Sequence, residues 1–183
     1  MATVDRLLEV AGEQRGFVLT SDAAGVGVDR VKLSKLASRG RLIRLGYGMY
    51  RLPTFPSQPN DDVMEAVMWT GKRGVIAGES ALALHDLADV NPRKIEIVVP
   101  LNYHPRRSGG ATYRVRQCHI PVAHVDDVAG IPVMDPYTAI KDAIDTGVDH
   151  RHIRQAITTA ARRLLIDPDQ QRELAAHLDE KEG

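Results

Sequence analysis

The chain of 183 residues has a single cysteine, Cys118. No intrachain disulfide can form, and a reducing, cytoplasmic location is expected. Aromatic residues make up only 4% of the chain, so any core must rest on Val, Ile, Leu and Ala. No run of roughly 18 apolar residues occurs, which speaks against a membrane-spanning helix. The opening MATVDRLLEVAGEQRG is broken by Asp5, Arg6, Glu9, Glu13 and Arg15, so a signal peptide is not expected there. Net charge is missing too, because 24 Lys and Arg balance 24 Asp and Glu. The 43% of hydrophobic residues is nonetheless enough for a packed interior and excludes wholesale disorder.

Signatures of catalysis are also lacking. There is no G-x-x-x-x-G-K-[ST], and Gly25 and Gly27 read better as a turn than as a phosphate cradle. There is no G-x-S-x-G. Cys118-His119 has no companion motif, and none of the seven histidines falls in H-E-x-x-H or in Cys/His zinc spacing. His150 and His152 flank Arg151 and would point apart on a helix. Glu96, in KIEIVVP, invites comparison with metal nucleases of restriction type, which follow one strand carboxylate with Glu-x-Lys on the next strand. Here Ile97 and Val98 follow, the Lys is absent, and an exposed strand glutamate is expected. No enzyme, metal site or cofactor is expected.

What is present is an uneven distribution of charge. Residues 28 to 52, VDRVKLSKLASRGRLIRLGYGMYRL, hold seven Lys or Arg and one Asp. Residues 1 to 56 carry nine basic and five acidic side chains, whereas 57 to 183 carry 15 and 19. With the proline-rich PTFPSQPNDD (53 to 62) as a linker, this predicts two domains, 1–56 and 57–183.

In the first domain, Val4, Leu7, Leu8 and Ala11 recur at helical spacing, from Thr3 to about Arg15. FVLT (17 to 20) is a short extended run, and Ser21 then opens a brief helix. Asp29 is a good N-cap for a helix from Arg30 to Arg39, stopped at Gly40, with Leu33, Leu36 and Ala37 inward. RLIRL and MYRL around GYG predict a hairpin. Three helices and a hairpin make a winged helix-turn-helix, whose third helix enters the DNA major groove. Burying Leu33 and Leu36 turns Val31, Lys32, Lys35, Ser38 and Arg39 outward, with Arg30 and Ser34 at the margin. Lys32/Lys35 and Lys35/Arg39 are like-charged helix neighbours, each pair unfavourable by about 0.2–0.5 kcal/mol. A polyanion would supply the missing countercharge. The candidate DNA-binding residues are therefore Arg30, Val31, Lys32, Ser34, Lys35, Arg39, Arg41, Arg44, Tyr47 and Arg51. Val31 could either touch a thymine methyl or pack on the second helix.

The second domain is predicted α+β, with a small, mostly antiparallel sheet followed by helices. Helices are expected from Asn60 and over 79 to 87, and strands over 94 to 100, 112 to 117 and within 122 to 134. NYHPRRSGG (102 to 110) is read as the loop joining the first two strands. Asp135-Pro136, Asp149 and Asp167-Pro168 then cap three helices, the middle one with Ile153, Ile157, Ala160 and Leu164 on one side. The last residues, DEKEG, are expected to fray.

In order along the chain, these features resemble the AbiEi family of abortive-infection antitoxins, the repressor half of type IV toxin–antitoxin pairs. The first motif is Arg30, Leu33, Leu36, Gly40, Leu42, Arg44, Gly48 and Tyr50. GESALALHDL, KIEIVVP and GIPVMDPYTAIKDAID carry the resemblance onward, with Gly78-Glu79 standing where the family usually has Ser-His. The resemblance implies a winged domain that binds inverted repeats in operator DNA, self-associating there, and represses its own operon. It implies a second domain that counteracts a cognate nucleotidyltransferase-like toxin. Two other classes compete, a winged-helix repressor with a ligand-sensing second domain and a degenerate nuclease with a DNA-binding appendage.

Overall fold

The computed structural model describes residues 3–107 and 109–182. The chain divides into two compact units, Met1–Lys72 with His104–Gly110, and Arg73–Tyr103 with Ala111–Gly183. The proline-rich break at 53 to 62 thus falls inside the first unit rather than between the two.

The first unit contains helix α1 (Thr3–Gly12), strand β1 (Phe17–Leu19), helices α2 (Thr20–Gly25) and α3 (Arg30–Ser38), strands β2 (Ile43–Gly46) and β3 (Met49–Arg51), and helix α4 (Asp61–Trp69). α1 stops at Gly12, short of the expected Arg15. α2 begins one residue before Ser21, and its first turn is held by Asp22, whose Oδ2 accepts from the Leu19 amide at 3.0 Å. The extended run 17–19 pairs antiparallel with β3, giving a three-stranded sheet in the order β1-β3-β2. Leu7, Ala11, Val18, Val28, Leu33, Leu42, Tyr50 and Leu52 form one buried cluster, with Leu36 and Ala37 against it. Each fully buried Leu or Val contributes about 1.5–3 kcal/mol. α4 joins this unit because it packs on β1. Asn60 precedes α4 at φ 63° and its side chain caps nothing, contrary to expectation. Asp61 takes over that end, accepting from the Gln58 amide at 3.0 Å.

The second unit runs β4 (Val75–Ile76), α5 (Gly78–Leu84), β5 (Ile95–Val99), β6 (Tyr113–Gln117), β7 (Val125–Val128), β8 (Ile131–Met134), α6 (Pro136–Asp145), α7 (His150–Arg162) and α8 (Pro168–Glu182). Its five strands lie in the order β6-β5-β4-β8-β7. The sheet is mixed, not mostly antiparallel: β5/β6 and β4/β8 are parallel, β4/β5 and β7/β8 antiparallel. The loop 102 to 110 does join the two strands, and the whole connection from Val99 to Tyr113 is long enough to return the chain for parallel pairing. Ser108 within it lies outside the described residues.

The helix caps follow the local signals. Asp135 accepts from Thr138 N, Asp149 from Arg151 N, and Asp167 from Gln170 N, while the Asp167 amide donates to Gln170 Oε1. α7 ends at Arg162, so Leu164 lies beyond its buried side, 88% exposed at φ 57°. DEKE is helical to Glu182; Gly183 lies outside the described residues.

Glu96 is not an exposed strand residue: it is only 5% exposed. β5 lies between β4 and β6, and its partners close over the side chain. Arg114 donates to Oε1 at 2.9 Å, and the Glu96 amide donates to Ser80 Oγ. Gly78 leaves the room, since a Cβ there would come within 1.7 Å of Glu96 Oε2. Burial raises the Glu96 carboxyl above its usual range, against the lowering effect of Arg114 and Arg116. Alongside, Arg116 donates to Asp142 Oδ2 at 2.6 Å, and the Gly78 amide donates to the same oxygen.

Candidate nucleic-acid interface

α3 is positioned by two local devices. Asp29 Oδ1 accepts from the Lys32 amide at 2.8 Å, closing the first turn. That backbone bond, with the Lys32 ammonium 3.6 Å away, holds the Asp29 carboxyl below its usual range. Leu33, fully buried, then anchors the helix on the core. The remaining side chains have no room inside: Arg30, Val31, Lys32, Ser34, Lys35, Ser38 and Arg39 are all exposed. Val31 is 62% exposed, so it does not pack on the second helix.

Arg41 follows α3, also exposed, and Arg44 projects from β2 with its Nε 3.5 Å from the Gly46 carbonyl. The β2/β3 pairing slips between Arg44 and Gly46, and Tyr47-Gly48 makes the turn, Gly48 at φ 69°. Tyr47 stands at the tip, 63% exposed. Arg30, Ser34, Arg44 and Tyr47 share the wall of an open cavity of about 690 Å³. Among the described residues, no ion pair engages Arg30, Lys35, Arg39, Arg41 or Arg44.

Arg51 stands apart from this set. Its Nη2 donates to Asp61 Oδ2 at 2.7 Å and to the Pro56 carbonyl at 3.1 Å, and its guanidinium lies 5.4 Å from the Phe17 ring centre. Arg15 reaches the same carboxylate at 3.5 Å. Arg51 is thus committed to the fold. A residue missing from the sequence-derived set, Arg107, lines the cavity instead. Only the paired arginines in HPRRSGG could have drawn attention to it, and nothing local ties that segment to the hairpin.

An exposed cationic helix, compensated only at Lys32 by Asp29, beside an arginine-bearing hairpin suits a ligand with many regularly spaced negative charges. Elsewhere, Cys118 is a free thiol with its Sγ 3.6 Å from the His119 carbonyl. Among the described residues no three His, Cys, Asp or Glu side chains converge to hold a metal ion. No described helix is long and apolar enough to cross a membrane.

Comparison with known families bears on the first unit. Residues 5–53 match the family described as transcriptional regulator, AbiEi antitoxin. The match covers the segment from α1 through β3; the motifs of the second unit lie outside it. No curated protein matches the chain. Among solved structures, the RV2827C protein from Mycobacterium tuberculosis is similar at 15% identity, with a TM-score of 0.47 over 98% of this chain and 77% of that one.

Proposed function

We propose that the protein is an antitoxin that acts by binding, not catalysis. Its first unit is a winged helix-turn-helix that holds inverted repeats in operator DNA, with α3 in the major groove and the β2–β3 hairpin as the wing. Copies of the chain associate on those repeats and repress their own operon, in the cytoplasm. Its second unit counteracts a cognate nucleotidyltransferase-like toxin, a role resting on the resemblance of GESALALHDL, KIEIVVP and GIPVMDPYTAIKDAID to the AbiEi family.

The observation that carries the DNA reading is the cationic surface of α3, exposed and with only Lys32 paired to a carboxylate among its described basic residues, inside the segment that matches the regulator family. The element order α1-β1-α2-α3-β2-β3 with sheet order β1-β3-β2 supports the winged arrangement. Fluorescence anisotropy with DNA from upstream of its own gene tests it. If about 4–6 phosphates are neutralised, log K against log salt is expected to slope near −4 to −5. A slope near zero would end the DNA reading. Growth on co-expression with such a toxin tests the other half, and no rescue by the full chain would end that part.

A further inference from the structure

We propose that Arg107 is a positioning residue for the wing tip, holding Tyr47 in place for DNA; this rests on the DNA reading above. The turn between β2 and β3 exposes two backbone carbonyls, those of Tyr47 and Gly48. The Gly48 carbonyl accepts from the Thr20 amide at 2.9 Å. The Tyr47 carbonyl accepts from Arg107 Nε at 3.2 Å. Both are thus secured to the body of the first unit, and the Tyr47 ring, 63% exposed, is left facing outward.

The guanidinium has its own anchor. Arg107 Nη1 donates to the Trp69 carbonyl at 2.8 Å, at the last residue of α4. The last carbonyls of a helix lack intrahelical partners and carry its negative dipole end, so a cation is favoured there. A planar guanidinium with several fixed donors can hold two carbonyls at once, which a lysine ammonium on a flexible stem does poorly. The segment is seated at a second point as well. Gly110 lies flat on the Trp69 indole, where a Cβ would come within 2.5 Å of Cζ2. His104–Gly110, α4 and the hairpin all belong to the first unit. Arg107 therefore works through the hairpin, with its Nε and Nη1 turned to carbonyls.

The experiment uses the full chain and operator DNA, with Arg107→Ala, Arg107→Lys, Gly110→Ala and Tyr47→Ala. Arg107→Ala is expected to weaken operator binding about tenfold, as loss of a charged hydrogen bond can, and to leave the salt slope unchanged. Tyr47→Ala, costly in the wild type, is expected to cost nothing further in the Arg107→Ala background. Arg107→Lys is expected to restore little. Gly110→Ala, which lifts the segment without touching Arg107, is expected to reproduce the loss and to shift the emission of Trp69, the sole tryptophan. A salt slope smaller by about 0.9 in Arg107→Ala would mean a direct phosphate contact and overturn the positioning role. Additive losses with Tyr47→Ala, or unchanged affinity, would overturn it too. Amide exchange across 43 to 51 reads the clamp without DNA and is expected to speed up in Arg107→Ala and Gly110→Ala. Unchanged exchange would overturn the clamp itself. Faster exchange in a chain that binds no DNA would overturn the interface reading, and the positioning role with it.

Discussion

Several arginines of the two units are managed in opposite ways. In the second, Arg114 lies 2.9 Å from Glu96, Arg116 2.6 Å from Asp142 and Arg151 3.0 Å from Asp149. In the first, Arg30, Lys35, Arg39, Arg41 and Arg44 have no such partner among the described residues. Both halves are rich in arginine, so composition alone does not separate them. Where charge is neutralised internally, the arginine serves the fold. Where it is left open on one helix and one hairpin, the fold bears the repulsion and a partner must relieve it. The exception sharpens the rule: Arg15 and Arg51, in the first unit, share Asp61 and are nearly buried.

The largest effect is expected from removing that shared carboxylate. Asp61→Asn leaves two half-desolvated guanidinia without a counterion and also weakens the turn at Gln58. Breaking a buried pair in this way costs roughly 3–5 kcal/mol. Urea denaturation is expected to show this as a lower midpoint with an unchanged slope. A loss below about 1 kcal/mol would place Asp61 with ordinary surface pairs.

A middle-sized effect separates open from committed arginines. Arg44→Ala is expected to weaken binding to all DNA sequences and to reduce the salt slope by about 0.9, the share of one phosphate contact. Arg51→Ala is expected to lower stability and leave the slope as it is. Equal slopes in the two variants would erase the distinction on which the comparison rests.

Much of this was legible locally. The caps at Asp29, Asp135, Asp149 and Asp167 could be read because a cap and its amide lie within three residues of each other. The exposure of Lys32, Lys35 and Arg39 followed from the burial of Leu33, because positions one before, two after and six after it point away from its side of the helix. Non-local outcomes were hidden. Arg51 looked like a wing residue until Asp61, ten positions on, took its charge. β1 finds its partner β3 some 30 residues later, at a register no local pattern encodes. Parallel pairing of β5 and β6 depends on where residues 100 to 112 travel, and Arg107 on the same path. Glu96 was misread because a lone carboxylate in a strand is usually solvated; here Gly78 clears space for it, and the Arg114 that meets it stands directly opposite on a parallel neighbour.

The smallest effect concerns that glutamate and tests whether internal neutralisation in the second unit is complete. Glu96 Oε2 is buried and has no hydrogen-bond partner, so Arg114 satisfies only half of the carboxylate. Burial therefore raises the folded-state pKa above the unfolded value near 4.5. A carboxylate raised in this way binds its proton more tightly in the folded chain. Its contribution to stability is fully present below the unfolded pKa and is lost as pH rises through the folded one. Glu96→Gln has no proton to release, so that component of the pH dependence disappears. Denaturation of wild type and variant across pH 4 to 8 is expected to give curves whose difference moves in the variant's favour as pH rises, then levels off once the wild-type glutamate is ionised. A constant difference across that range would mean that Arg114 neutralises Glu96 fully, and the second unit would then hold its charge with no residual cost.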